Sequence, residues 1–529
     1  MSYCLLWIET LLACLLFAAM LIILGLRRKT RTVRALCAVV GLLPLLPLGL
    51  LAMATAGLRF ASGLRGSGFM WAILLLACYL AGAVAMRIFA GRRDVAGVRH
   101  AFSWPLGRIA TTWLVVVSLI AMTLWNLDLR AQMEIQALRA EAGAIALSVA
   151  SPQVPDSANA AWVYEEADKQ FQAATTPADK DIDYSDLDLR SAPVKDYLQR
   201  QHKTLETLRR AADMPECRLD YDYAKINFDT LMPQLSLFRQ RANLLAFAAT
   251  AEAASGNLEL ALADGQRLYS ISNHVSSFAL RTSGLVAIGI DALADMTIAQ
   301  VLPSVTTSQT LDRFATPDAR TLRRLFARCL RGEEAFGLAA FCDLGSGKGP
   351  YAKTMAPIGG TVVWLLWLQE DVSIYREYLQ RLREIAQEPY YQTAPERKQI
   401  EEELQPGKRR GVLSAITTPS LLKTIDTLAR AEALRSTVAV ACAATRYRLD
   451  HGDYPATANL LVPQYLETMP LDPFDGQPLR LKKLLDGSLV IYSVSTNGKD
   501  NGGNVDGTDA KHPIDTTDKG IILKLPPAK

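Results

Sequence analysis

Four long apolar runs within the first 127 residues constrain this chain more than any other feature of its sequence. A helix needs about 20 apolar residues, and at least about 17, to cross the hydrocarbon core of a bilayer. The runs that reach this length are Leu5–Leu26, Leu36–Leu58, Phe69–Met86 and Ile109–Leu127. Residues 1–127 are therefore predicted to form a region of four transmembrane helices.

Basic residues between these runs predict the orientation of the chain. Arg27–Arg34 holds five basic residues and no acidic one, and Arg87–Arg108 holds five arginines against one aspartate. Positive charge resists translocation, so both loops are predicted to be cytoplasmic. The N-terminus and everything after Leu127 then lie outside the cytoplasm. No cleaved signal peptide is predicted, because no basic residue precedes the first run.

The charge of the chain favours a lipid partner over a nucleic acid. The formal net charge is only +4, and many of the arginines flank the apolar runs. A nucleic-acid-binding domain would instead place Lys and Arg along one face of a folded unit. The lipid bilayer is therefore a predicted partner, and nucleic acid is not.

Residues 128–420 are predicted to form an α-helical extracytoplasmic domain. Apolar residues recur there at spacings of three and four, which is typical of amphipathic helices. Ala242–Asn273 resembles one helical hairpin of a tetratricopeptide repeat, with the turn at Gly256, although no second copy follows. The apolar segment Pro357–Leu368 is too short to span a bilayer and suits either a core helix or a surface-lying one. Gln392–Gly411 is strongly charged and is predicted to be a mobile connector.

The eight cysteines do not predict a metal centre. Four of them lie in or beside the apolar runs, and the spacings of the eight do not match those of zinc ligands. The other four are in the predicted exported part, where oxidation is possible. Their pairing is left open among three connectivities; they are Cys217, Cys329, Cys342 and Cys442.

The texture of the sequence changes at Leu421, and residues 421–529 are predicted to form a small α+β domain. A long helix is expected to end at Gly452, which is followed by Pro455. Turn-forming residues come next, in "LVPQYLETMPLDPFDGQPLR". The segments "SLVIYSV" and "GIILKL" are then predicted to be short strands.

The order of these segments resembles the C-terminal half of the major pseudopilin of type II secretion. The resemblance covers about residues 431–509 and rests on the long helix, a Tyr-Pro turn, a Leu-Asp-Pro segment and a Gly/Asp loop. The charged sequence before Leu421 lacks the apolar helical half through which pseudopilins polymerise. The resemblance implies a link to secretion or pilus-like assembly, and the bacterial cytoplasmic (inner) membrane as the location.

The resemblance also implies a calcium site in the closing loop, as we call Asn497–Asp509. Calcium binds six to eight oxygen ligands, and this loop is rich in Asn and Asp on a glycine-permissive backbone. The implied ligands are Asn497, Asp500, Asp506 and Asp509. The family usually has Asp where this chain has Asn497. A plain solvated loop is the alternative.

The sequence favours a non-enzymatic, membrane-anchored protein that makes protein–protein or envelope contacts. The alternative is a membrane-anchored envelope hydrolase of unknown substrate. Against the hydrolase, no GxSxG or HExxH motif occurs. The adjacent acid pairs, such as Glu165/Glu166 and Glu333/Glu334, should also point in different directions on a helix. No catalytic residue is therefore predicted.

Overall fold

The computed structural model describes the chain from Pro105 onwards, with gaps. The described residues are 105–176, 179, 188–219, 221–222, 233–312, 314, 317–346, 364–405, 408, 411, 413–505 and 518–525. They are mostly helical and contain one three-stranded antiparallel sheet. This confirms the prediction of a mainly α-helical chain with a small α+β part.

The described residues do not support four transmembrane helices. The first three predicted spans lie outside them. The fourth, Ile109–Leu127, falls within a 45-residue helix, α1 (Pro105–Val149), which is about 67 Å long at 1.5 Å per residue. In the described part of the chain, the one helix that is long and apolar enough to span a membrane is Arg281–Ser304, with 67% of its most apolar window buried in the protein. A helix in the core of a folded domain is buried in the same way and passes the same length and composition criteria.

The chain divides into two compact units. The first comprises Met1–Gln136 and Met355–Leu366, and the second comprises Ala137–Thr354 and Trp367–Lys529. In the first unit, the indole Nε1 of Trp364 donates to Glu134 at 3.1 Å. Trp364 is buried, whereas Trp367, which opens the later segment of the second unit, is 44% exposed. The start of the apolar segment at residues 357–363 lies outside the described residues.

Helices account for most of the second unit. After α1 they are α2 (Ala160–Ala174), α3 (Ala192–Arg200), α4 (His202–Ala212), α5 (Pro233–Ala254), α6 (Leu258–Ser276), α7 (Arg281–Val301), α8 (Ser308–Asp312), α9 (Arg320–Gly345), α10 (Gln369–Gln387), α11 (Ala394–Glu403) and α12 (Leu413–His451).

The predicted helical hairpin is confirmed by α5 and α6, which pack against each other. The turn between them places Gly256 at φ +92°, in the left-handed region that glycine adopts without strain. Asn257 then precedes the first residue of α6. The prediction succeeded because both the turn residues and the helical periodicity are local signals.

The predicted mobile connector, Gln392–Gly411, is wrong over most of its length. It contains α11, which has a proline in its first turn, where the missing N–H costs no hydrogen bond. Ile400 is fully buried, and Arg381 of α10 binds Glu396 at 2.5 Å and Glu403 at 2.7 Å. Two of the acidic residues that suggested a solvated segment therefore form ion pairs with an arginine of another helix.

Helix α12 joins the helical part of the second unit to its sheet. It begins at Leu413, where Asp371 accepts a hydrogen bond from the N–H of Ser414 at 3.2 Å. It ends as predicted at Gly452, which has φ +82° and donates its N–H to the carbonyl of Arg448 at 2.8 Å. The predicted domain boundary between residues 420 and 421 thus falls inside a continuous helix.

The sheet is antiparallel and has the order β1–β2–β3. Its strands are β1 (Arg480–Lys483), β2 (Leu489–Ser493) and β3 (Lys519–Leu523). Tyr492 of the central strand faces Arg480 on one side and Gly520 on the other. All of β2 is buried, and its Ile491 belongs to the same core cluster as Leu268 of α6 and Val438 of α12. One core therefore continues from the helices into the sheet.

Candidate functional site

The closing loop follows β2 and starts in a tight left-handed turn. A single 3₁₀ turn spans Ser495–Asn497, and the backbone then turns through Gly498 at φ +65°. Gly502 and Gly503 also have positive φ, at +70° and +77°. A Cβ on Gly503 would lie only 3.1 Å from the ring of Tyr492. Glycine is needed here for its backbone conformation and, at Gly503, for the close approach to the sheet.

Two of the four implied calcium ligands lie in the described part of the loop, and both bind protein groups. Asn497 accepts a hydrogen bond from the N–H of Lys499 at 2.8 Å and donates to the side chain of Asn501 at 3.1 Å. The carboxylate of Asp500 accepts from the N–H of Gly502 at 2.8 Å. The other two, Asp506 and Asp509, lie outside the described residues.

Asp518, just before β3, is a loop-binding carboxylate that the sequence analysis missed. It is fully buried, and it accepts hydrogen bonds from the N–H of Asn501 at 3.1 Å and of Gly503 at 2.8 Å. Burial raises the pKa of this carboxyl, while the two N–H donors lower it. The signal available in the sequence was an acidic residue directly in front of a predicted strand.

Arg480 of β1 binds three carboxylates at once. Its guanidinium lies 2.6 Å from Asp475, 3.2 Å from Asp500 and 3.4 Å from Asp472. Asp500 also accepts from the hydroxyl of Tyr492 at 3.1 Å. The N–H of Gly502, this hydroxyl and Arg480 hold the pKa of Asp500 below its usual value. The Leu-Asp-Pro segment and the closing loop are thereby connected through one side chain.

Asp472, the aspartate of the Leu-Asp-Pro segment, is fully buried beneath Arg480. It accepts hydrogen bonds from the N–H groups of Phe474 at 3.0 Å and Val494 at 2.8 Å. The hydroxyl of Ser493 donates to it as well, at 2.8 Å. Burial nevertheless raises the pKa of Asp472. This residue joins the turn before β1 to the end of β2.

Lys482, two residues after Arg480, binds the loop from the same strand. Its ammonium donates to the carbonyl of Gly502 at 2.6 Å. Alternate residues of a strand share a face, so both cations are on the loop side of β1. Lys483, the next residue, points to the other face of the strand, where it binds Asp453.

The described residues of the loop do not fit a calcium shell as they are placed. Calcium requires six to eight oxygens, including unengaged carboxylates and carbonyls. Here Asp500 is held by Arg480, and the Gly502 carbonyl by Lys482. Within the described residues, no group of three or more His, Cys, Asp or Glu side chains could hold a metal ion. The calcium site stays a prediction, since half of its implied ligands lie outside this part.

A second charged cluster, which the sequence analysis also missed, lies in the helical core. Arg435 of α12, only 2% exposed, lies 2.9 Å from both Asp291 and Asp295 of α7. The hydroxyl of Tyr269 donates to Asp295 at 2.5 Å, and the guanidinium stacks 4.1 Å from the Tyr269 ring centroid. The signal in the sequence was two aspartates four residues apart within an otherwise apolar helix.

Burial dominates the electrostatics of this core cluster. It raises the pKa of Asp295 to about 7, against the lowering effect of Arg435. It also raises the pKa of Asp291. Two carboxylates thus share a single guanidinium in a site that is almost completely buried. The chemistry of the cluster is that of an internal ion-pair network between α7 and α12.

The adjacent acid pair Glu333/Glu334 diverges as predicted. Glu334 binds Arg331 at 2.5 Å and also Arg383, whereas Glu333 lies 3.6 Å from Arg281. The two carboxylates of this pair therefore serve different ion pairs and do not face a common space.

Four cysteines of the described region are buried thiols outside any disulfide bond: Cys217, Cys329, Cys342 and Cys442. Burial raises the thiol pKa of the first three to about 12, so each stays protonated at neutral pH. Protonated buried thiols are poor nucleophiles and poor metal ligands. In this structure they act as small apolar core residues.

The chain was compared with models of protein families, with curated proteins and with solved structures. None of the three comparisons finds a match.

Proposed function

We propose that this chain is a non-enzymatic, multi-pass membrane protein whose large exported part makes protein–protein or envelope contacts. Four transmembrane helices within residues 1–127 would anchor it in the cytoplasmic membrane of a bacterium. The proposal includes a pseudopilin-like C-terminal part and a link to secretion or pilus-like assembly.

The observation that supports this proposal most is the continuous path from α12 into the antiparallel sheet. Helix α12 runs for 39 residues, ends at a glycine cap and is followed by the Leu-Asp-Pro turn and three short strands. This is the order of segments on which the resemblance to the major pseudopilin rests. In a pseudopilin the helix would continue into an apolar half. Here its first turns are instead packed against α10, which suits a domain fixed to its own helical body.

The distribution of carboxylates supports a non-enzymatic function. Three buried acids of the helical part bind arginines at short range: Asp264 with Arg209 at 2.7 Å, Glu432 with Arg323 at 2.6 Å, and Asp295 with Arg435 at 2.9 Å. A general acid or base must instead be within reach of a substrate. These side chains act in packing the helices together.

Site-specific photo-crosslinking in intact cells tests the proposal. A photo-crosslinking amino acid would replace one of three exposed leucines of the C-terminal part: Leu460, Leu471 or Leu485. Met296, 53% exposed on α7, is the matched control. We expect adducts with pilin-like or secretion-type membrane proteins from the C-terminal positions only. Adducts from none of these three positions, or from Met296 alone, would contradict the assembly function.

Membrane anchoring needs a separate test. Full-length protein should stay in the membrane pellet after alkaline carbonate extraction. Protease added to the outer face of spheroplasts should digest residues 128–529 while leaving a fragment of residues 1–127. Extraction of the intact chain by carbonate would refute the four-helix anchor without bearing on the crosslinking result.

A further inference from the structure

The closing loop is held to the sheet by two positively charged side chains from one strand. Arg480 binds the carboxylate of Asp500 at 3.2 Å, and Lys482 binds the carbonyl of Gly502 at 2.6 Å. A carboxylate and a backbone carbonyl are the two kinds of oxygen that a calcium ion would collect from such a loop. Both kinds are here already bound to a cation of the protein itself.

We propose that Arg480 and Lys482 are the resident cations of the described part of the closing loop, Asn497–Val505, so that the fold of this part requires no bound metal. The proposal replaces the calcium that the family resemblance implies with two residues of this chain. It is independent of any partner, so it stands or falls separately from the assembly function.

The geometry around the two cations supports this assignment. Arg480 is only 22% exposed, and its guanidinium is fixed on the other side by Asp475 at 2.6 Å and by the buried Asp472 at 3.4 Å. A guanidinium that is anchored in this way is pre-organised, so little side-chain freedom is lost when it binds Asp500. Arg480 is therefore a fixed charge onto which the loop folds.

Asp518 is a buried anion that binds the same stretch of the loop as the two cations. Its buried carboxylate accepts the N–H groups of Asn501 and Gly503, on either side of the carbonyl that Lys482 binds. The anionic Asp518 thus holds two N–H groups of the loop backbone, and the cationic Lys482 holds the carbonyl between them. Protein partners thus bind the Asp500 carboxylate, the N–H groups of residues 501–503 and the Gly502 carbonyl.

Hydrogen exchange on the full-length protein in detergent, read by mass spectrometry on peptides covering residues 493–505, tests the proposal. For the wild type we expect the same protection in millimolar calcium and in chelator. For the Arg480→Met, Lys482→Met double variant we expect at least about tenfold faster exchange in these peptides, because two charge-assisted contacts of the loop are lost.

The matched control is Lys483→Met, because Lys483 is a cation of the same strand but binds Asp453 on the other side of β1. Its exchange in the loop peptides should equal that of the wild type. If the double variant does not fold, Lys482→Met alone gives the same reading, since Lys482 is exposed. Faster exchange of the wild-type loop in chelator would overturn the proposal, as would unchanged exchange in both variants.

Discussion

Two arginines of this protein have the same kind of partner and very different surroundings. Arg435, in the helical core, is 2% exposed and lies between Asp291 and Asp295. Arg480, on the first strand of the sheet, is 22% exposed and lies among three aspartates of the turns and the closing loop. In both clusters carboxylates outnumber the guanidinium, so the difference between them is access to water.

That difference decides what each cluster can do. In a dry core, removing one member of an ion pair leaves an uncompensated charge and is strongly destabilising. Near the surface, water and salt compensate for a lost partner, and the pair contributes little to global stability. We therefore expect Arg435 to control the stability of the whole unit and Arg480 to control only the order of the closing loop.

The largest effect should come from Arg435→Met, which leaves Asp291 and Asp295 without their counter-ion. We expect a loss of about 3–5 kcal/mol in the free energy of unfolding at pH 8. Denaturant unfolding followed by circular dichroism would measure it. Arg324→Met, which changes an exposed arginine of α9, is the control and should unfold like the wild type. Wild-type stability in Arg435→Met would remove the distinction between the two clusters.

Thiol labelling of Cys442 would show where the core cluster acts. Cys442 is a thiol outside any disulfide bond, is 3% exposed, and lies seven residues, or about two turns, after Arg435 on α12. In a background where every other cysteine is alanine, Arg435→Met should label about 100-fold faster, because local opening becomes cheaper. Arg480→Met should label at the background rate. Equal acceleration by both variants would mean that the clusters form one cooperative unit.

The pH dependence of stability should distinguish the clusters next. Burial raises the pKa of Asp295 to about 7 in the folded protein. The protonated carboxyl therefore stabilises the fold fully at a pH below the pKa of this group in the unfolded chain. This stabilisation is lost as pH rises through about 7. Asn resembles the protonated acid. The melting temperature of Asp295→Asn relative to the wild type should therefore increase between pH 5 and pH 8.

Asp500→Asn is the matched variant at the surface. The pKa of Asp500 is lowered, chiefly by the Gly502 N–H, so this carboxyl stays ionised from pH 5 to pH 8 in both the folded and unfolded states. Its melting difference from the wild type should be constant over that range. A difference for Asp500→Asn that follows the same pH curve as Asp295→Asn would contradict the assignment.

The smallest global effect should come from Arg480→Met. Its loss leaves the buried Asp472 with three neutral donors, from Phe474, Val494 and Ser493. We expect a change of at most about 1 kcal/mol in the free energy of unfolding, although loop exchange accelerates. A loss as large as that of Arg435→Met would show that the sheet cluster also supports the core.

The sequence predicted those parts of the fold whose signals are local. Gly256 and Gly452 mark a turn and a helix end, and "SLVIYSV" and "GIILKL" predict β2 and β3. It did not predict α11, because the charges of that segment are satisfied by Arg381, a residue of another helix.

The same limit applies to the two charged clusters. The pairing of Arg435 with Asp295, and of Asp518 with the loop backbone, joins residues far apart in the chain. Their types were visible in the sequence, but their partners depend on how α12 and the strands pack. The family resemblance implies a metal site in the loop, whereas the packing of the strands places two cations of the chain beside it.

The position of β3 has a consequence for the order in which this protein can fold. Its Ile521 and Leu523 belong to the common core, and the strand packs against α7 and α12. Contacts between segments that are distant in sequence form late, because a long loop must first close. During synthesis, α7 would emerge long before the strand that covers it. Until β3 arrives, part of that helix stays exposed as apolar surface, and the protein would benefit from a chaperone during this interval.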